Sequence, residues 1–347
     1  MKRAPIQANP RTGGIRPGYR EGVTDSEDPT VGELSEGVIL RRILDRIGPS
    51  RALVGPGDDA AVLSAPDGRV VATTDTLVHG PDFRLAWSSA FDLGWKSAAV
   101  NLADVAAMGA RPTALLVALA MPDDTRVSWV EGFADGLRAA CDELAPDCAV
   151  EGGDLTVSDT LTIAVTALGS LDGREPVLRS GARPGDVVAV AGELGRAGRG
   201  LHLLFERFRD AGGGPVGVDA ALLSTAERDD LAAQLRPSPP IRLAVPAAAT
   251  ATAMMDVSDG LVLDATRMAD ASGVSMDLDG ALNRAALSGG EDHALLATFP
   301  PDAGLPAGFV AIGYVRPRGP HAVLVGSEPF NGRTGWDPYR DWDAARG

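Results

Sequence analysis

Lysine is all but missing from this chain of 347 residues: Lys2 and Lys96 are the only two. A P-loop needs a Gly-Lys-Ser/Thr step to cradle phosphate, and Lys96 follows Trp95, so that motif is excluded. Cysteine is nearly as scarce. Cys141 and Cys148 are too few for a disulfide framework and lack C-x₂-C spacing. Both fall on or beside an Ala-rich stretch and are expected to be buried thiols. The four histidines, His79, His202, His293 and His321, show no metal-ligand spacing. Ser258 has no histidine near it in sequence, which argues against a hydrolase nucleophile. No apolar run approaches the roughly 18 residues of a membrane helix. Residues 1–30 are rich in Arg, Gly and Pro, with no apolar stretch fit for a signal peptide. They are expected to be a disordered extension, and the protein cytoplasmic. A formal charge of -15 argues against a nucleic-acid partner and suits a protein that concentrates divalent cations.

What is present centres on residues 55–63, GPGDDAAVL, and the strand-like run VVATTDT at 70–76. Asp58 and Asp59 sit in a glycine-flanked turn, and Asp75 ends the β-branched run. The Gly-Pro-Gly step lets backbone approach whatever the carboxylates hold. Three acidic side chains brought together, with no lysine nearby in sequence, repel unless a cation bridges them. Hard oxygen donors with no cysteine and few histidines favour Mg²⁺ over Zn²⁺. Gly55-x-Gly57-x-x-Ala60 also fits a loose dinucleotide fingerprint. It would set two carboxylates where a pyrophosphate rests, so the match is read as accidental.

The length suits two domains of about 150 residues. Residues 32–47 have helical spacing and stop at Gly48-Pro49. Residues 92–108 read as a small-residue helix on which Ser97, Asn101 and Asp104 form one polar stripe. That stripe fits either a solvent-facing edge or a site. Residues 113–120 read as a buried strand and 127–145 as an amphipathic helix. A short strand then leads to a tight turn at Glu151-Gly152-Gly153-Asp154, and 160–167 closes an α+β first half. Residues 171–185 are the best domain boundary. Beyond it come a strand (186–191), a glycine-rich loop opening a helix (192–209), a Gly/Pro insertion (211–218), a helix (220–235) broken by RPSPP, and a strand (253–257). A helix begins at the Asp259-Gly260 step, with Asp259 a plausible N-cap. Further strands are expected at 293–298, 310–315 and 322–326, making a second α/β half.

GPGDDAAVL, TTDTLV, GWKSAAVNLADVAAMGARP, GGD, RSGARPGD, RPSPP, DVSDGL and SGGEDHALL occur in one order. With these motifs, residues 32–342 resemble the thiamine-monophosphate kinase family, part of the group that includes aminoimidazole-ribotide synthetase and selenophosphate synthetase. The resemblance implies an α/β (α+β) two-domain synthetase-like fold: an extension at 1–30, an N-terminal dimerising domain at 31–170, and a C-terminal domain at 171–347. It implies a homodimer with an ATP-Mg²⁺ site between the domains, no nucleic acid and no membrane. The implied reaction moves the γ-phosphoryl group of ATP onto thiamine monophosphate. Several Mg²⁺ ions would be held by Asp59, Thr73, Thr74, Asp75, Asp104, Asp154 and Asp256, with Asp259 binding a further ion. Gly153, Asp154, Arg179 and Ser258 are implied ATP contacts; Glu291 and Trp336 are implied substrate contacts, with Tyr339 in the same terminal aromatic segment. No covalent or acid–base residue is required.

Two departures stand out. The family commonly reads L-V-x-G-x-H-F after TTDT, with the histidine on substrate. Here the run is Leu77-Val78-His79-Gly80-Pro81-Asp82-Phe83, so Asp82 replaces that histidine. Asp82 is expected to pair with the thiazolium cation on charge complementarity, unless His79 takes over the role. The second departure is GEDHALL, where Tyr-Glu usually follows Gly-Glu-Asp. Selenophosphate synthetase would want a reactive Cys near the N-terminus, and the hydrogenase-maturation relative a terminal Cys; this chain has neither. The competing class is a catalytically silent nucleotide- or thiamine-phosphate-binding protein on the same fold.

Overall fold

The computed structural model describes residues 28–56 and 61–336. The first half runs α1 (Glu36–Ile47), β1 (Val71–Val78), α2 (Ala90–Ala107), β2 (Arg111–Met121), α3 (Val127–Leu144), β3 (Ala149–Val157) and β4 (Thr162–Ser170). Its four strands form one sheet in the order β1-β4-β2-β3, with β2 and β3 parallel and the other pairs antiparallel. The second half holds β5 (Val187–Ala191), α4 (Arg196–Arg207), α5 (Thr225–Leu235), α6 (Ile241–Ala248), β6 (Ala253–Val257), α7 (Leu261–Ser272), β7 (Val274–Leu278), α8 (Arg284–Ser288), β8 (Ala294–Phe299), β9 (Phe309–Pro317), β10 (Val323–Val325) and β11 (Glu328–Pro329). These strands make a seven-stranded sheet ordered β11-β10-β7-β9-β5-β8-β6.

Several expectations are corrected. The tight turn at Glu151–Asp154 is absent: β3 continues through it with an irregularity at Glu151, after which Gly152, Gly153 and Asp154 lie opposite Leu116, Val117 and Ala118. The neighbouring parallel strand supplies the pairing that two glycines alone do not suggest. The helix at 32–47 is shorter, because Val31–Glu33 forms a separate 3₁₀ turn before Ser35 at the N-cap. The helix at 220–235 divides at Ser224, whose hydroxyl accepts the Glu227 N–H while the Glu227 carboxylate accepts the Ser224 N–H. Strand β7 and helix α6 were not anticipated. Both cysteines are buried, and the hydrogen bond from Cys141, with burial, raises the Cys148 thiol well above its ordinary range.

Helix α2 is the pivot of the molecule. It lies against α3 through reciprocal glycines: a Cβ on Gly94 would collide with the Phe133 carbonyl, and one on Gly136 with the Phe91 carbonyl. Only side chains this small let the two helix backbones meet. The other flanks of α2 touch β1 and β4 on one side and α6, β6 and β8 on the other. One continuous apolar cluster therefore runs from Leu93, Ala98 and Leu102 to Ala244, Met254, Ala297 and Phe299. Among the described residues, no helix is long and apolar enough to cross a membrane.

Candidate active site

The polar stripe of α2 faces inward. Ser97 and Asn101 are each 1% exposed, which excludes the solvent-edge reading. Ser97 Oγ donates to the Leu93 carbonyl at 2.6 Å, and Asn101 Nδ2 to the Ser97 carbonyl at 2.9 Å. Asn101 Oδ1 in turn accepts the Asp75 N–H at 3.1 Å, and Asp104 Oδ2 accepts from Thr73 Oγ1 at 2.8 Å. Strand alternation puts Thr73 and Asp75 on this face. It sends Thr74 to the other face, where its hydroxyl donates to the Val165 carbonyl at 3.1 Å. The structure therefore does not bring the Thr74 side chain to its expected companions.

The second half adds Asp256 at the end of β6 and the loop 289–293. Burial, together with the Asp256 and Asp75 carboxylates, pushes Asp104 up to about 7. Burial also raises Asp75, with Asp256, Glu291 and Asp259 adding to the effect and His293 opposing it. Asp256 is buried, and its Oδ2 lies 3.0 Å from His293 Nδ1. Burial would lower the His293 imidazole, but Asp256 and Glu291 together raise it and the net direction is up. Glu291 and His293 both adopt left-handed backbone, φ 74° and 52°, a conformation that costs energy in non-glycine residues and clusters at ligand clamps. The Glu291 N–H bonds the Ser258 carbonyl at 2.7 Å. Its carboxylate forms an ion pair with Lys96 Nζ. Burial alone would raise Glu291, but Lys96 and His293 together draw it down.

One expectation about charge is thus corrected. A lysine does stand at the acidic cluster, although nothing near it in sequence placed it there. His293, which shows no metal-ligand spacing in the sequence, is paired with a carboxylate of the cluster. The one signal for Lys96 was its position: a charged residue beside the polar stripe of an otherwise apolar helix. Asp259 is not an N-cap, because Gly260 holds that position. Its carboxylate pairs with Arg267 Nη1 at 2.6 Å. The buried Asp264 instead accepts the Ser258 and Asp259 N–H groups, each at 3.1 Å, and burial lifts it to about 6.

The remaining expected site residues are dispersed. Asp82 Oδ2 accepts the Val78 N–H at 2.7 Å, closing the bend after β1. Its carboxyl is raised by burial and then by Glu291, with Val78 and Lys96 opposing, so it lies near both Lys96 and Glu291. His79 is exposed and tilts against Phe83 at 5.6 Å between ring centroids. Arg179 is exposed, and its carbonyl accepts from Ser272 Oγ at 2.9 Å. The Trp336 main-chain N–H donates to the Asp259 carbonyl at 2.9 Å, while its indole, 39% exposed, lies under the Arg333 guanidinium, 5.5 Å from the ring centroid. Gly153 and the exposed Asp154 line a cavity of about 880 Å³ with Gly55 and Pro56; its lining includes none of Thr73, Asp75, Asp104 or Asp256. A Cβ on Gly153 would strike the Val117 carbonyl, so the close strand pairing itself requires this glycine. Asp58, Asp59 and Tyr339 lie outside the described residues.

Among the described residues, no three His, Cys, Asp or Glu side chains are close enough to hold a metal unaided. Mg²⁺ does not need such a cage; it keeps waters and takes one or two carboxylates plus substrate phosphates. Carboxylates held up by one another's charge are the donors a divalent cation relieves, so this set fits Mg²⁺. What the halves share is an acidic cluster with one lysine paired to it.

Residues 57–171 match the family model for AIR synthase related protein, N-terminal domain. That match and the two-sheet fold together place the chain in the AIR synthase-related class. The thiamine-monophosphate kinase of Mycobacterium tuberculosis is 40% identical over 339 residues, covering 92% of this chain and 96% of that protein. The thiamine-monophosphate kinase structure from Stenotrophomonas maltophilia superposes with a TM-score of 0.70 at 34% identity, covering 85% of this chain and 96% of that one. AaThiL complexed with AMPPCP and TMP gives 0.68 at 31% identity, covering 90% and 99%. The chain belongs to the thiamine-monophosphate kinase family.

Proposed function

We propose that this chain transfers the γ-phosphoryl group of ATP directly to the phosphate of thiamine monophosphate, giving thiamine diphosphate and ADP. The observation that carries it is the meeting of Thr73, Asp75 and Asp104 from one half with Asp256 and Glu291 from the other, in a chain of this family. Phosphoryl transfer needs alignment and charge neutralisation more than covalent help. The acceptor phosphate is largely dianionic at pH 7, its second pKa being about 6, so no residue has to take a proton. Asp59, Thr73, Asp75, Asp104, Asp154 and Asp256 would hold Mg²⁺, and Asp259 a further ion once released from Arg267. Thr74 has only its main chain to offer. Bound Mg²⁺ supplies the positive charge that lets two phosphate groups approach.

Asn101 and Thr73 have their tasks from placement, and the other roles are carried over from the family resemblance. Asn101 fixes the Asp75 main chain, and Thr73 orients Asp104. Gly153, Asp154, Arg179 and Ser258 are assigned to ATP; Asp82, Glu291, Trp336 and Tyr339 to the acceptor. The halves are read as domains dividing near residue 171. The exposed sheet face bearing Thr74 and Ala118 supports pairing of two copies as a homodimer, and the location is read as cytoplasmic. A product assay with ATP and Mg²⁺ tests the reading: thiamine monophosphate should be converted and free thiamine ignored. Comparable turnover of both would reject direct transfer to a phosphate.

A further inference from the structure

Lys96 is the one lysine among the described residues, and it is 6% exposed. A buried ammonium is expensive unless it is paired and hydrogen-bonded. Lys96 has both kinds of partner. It pairs with the Glu291 carboxylate of loop 289–293 and donates to the Gln234 carbonyl near the end of α5 at 3.2 Å. Three separate stretches of chain thus converge on one ammonium group. The two partners are unequal: the Lys96 side chain is 7% exposed, the Glu291 side chain 40%. The lysine is sunk in the fold, and the side chain of the carboxylate it holds is partly open to solvent.

We propose that Lys96 is a positioning residue for the phosphate-bearing acceptor, acting through Glu291. The left-handed backbone at Glu291 aims its side chain back across the gap between the halves, and the N–H bond to Ser258 sets where the chain turns. Lys96 then fixes where the carboxylate ends, leaving its solvent-facing side for a hydrogen-bond donor or the cationic ring of the acceptor. It also offsets one negative charge among Asp82, Asp256 and Asp75, where an unpaired Glu291 would repel the acceptor's phosphate. Without the lysine, Glu291 has a competing pull from His293 and swings toward it. The inference rests on the reading of Glu291 as an acceptor contact.

The test is steady-state kinetics on the full chain with ATP, Mg²⁺ and thiamine monophosphate, comparing wild type with Lys96→Met, Lys96→Arg, Glu291→Gln and the Lys96→Met/Glu291→Gln double variant. Methionine keeps the stem packing and removes the charge. Lys96→Met should raise the KM for thiamine monophosphate about tenfold and shift that for ATP less than about threefold. Arginine should recover most of the loss. The double variant should be no worse than Glu291→Gln alone, as residues acting through one contact are non-additive. Equal rises in both KM values, or multiplying effects in the double variant, would overturn the proposal, since a merely structural lysine behaves that way. Should Lys96→Met not fold, Lys96→Gln, which keeps a hydrogen-bond donor without the charge, takes its place in the same cycle. If wild type converts no thiamine monophosphate, the functional reading falls by itself. Calorimetric titration of thiamine monophosphate into wild type and Lys96→Met then decides the clamp: equal affinities reject it.

Discussion

An aspartate held near 7, as Asp104 is, is a carboxylate the folded chain prefers to keep protonated. Its unfolded value is about 3.9, so between those limits the folded state binds more protons and stability falls as pH rises. The cost is fully present above 7 and is relieved as pH falls toward 4. In EDTA the melting temperature should therefore climb when the buffer is moved from about pH 8 to about pH 6. Asp264, raised to about 6, tilts the same way, so Asp104→Asn should reduce this slope without abolishing it. At pH 8 in EDTA that variant should melt about 1–2 °C above wild type, the shift that roughly 1 kcal/mol produces in a chain of this size. Mg²⁺ with ATP should raise wild type and hardly move the variant. A variant that melts below wild type in EDTA, yet gains as much from Mg²⁺-ATP, would make Asp104 a structural residue.

At the scale of the element, α2 shows what periodicity can and cannot give. The Ser97-Asn101-Asp104 stripe was visible from its spacing alone. Which way the stripe faces was not, because that depends on which strand α2 lies against. Close helix contact was hidden too, since Gly94 and Gly136 read only as weak helix formers. Gly136→Ala would raise helix propensity but drive a methyl into the Phe91 carbonyl. It should cost about 1–3 kcal/mol, seen as a lower urea midpoint with the slope unchanged; a midpoint equal to wild type would remove the contact's importance. Strand β7 escaped notice because Asp277 interrupts VSMDL. In the fold that carboxylate accepts the Ser327 N–H and hydroxyl, each at 2.8 Å, and pairs with Arg316. Tertiary partners overrode local preference there, as they did at the two glycines of β3.

Over the whole molecule, motif order gave the family and named Thr73, Asp75, Asp104, Asp256 and Glu291, which the fold gathers, while Lys96 and His293 needed the packing of α2 against the second sheet. That packing also predicts how the chain melts. One apolar cluster crosses from α2 to Met254 and Phe299, so the halves should unfold together, with calorimetric and van't Hoff enthalpies equal. Two resolved transitions would mean each half stands alone. The same shared core has a consequence for the newborn chain. The ribosome delivers α2 long before β8, with about 190 residues still to come. At 5–20 residues per second, one apolar flank of α2 waits roughly 10 to 40 s for its cover. For that interval the N-terminal half is a sticky nascent intermediate, and its survival depends on being shielded until Phe299 has emerged.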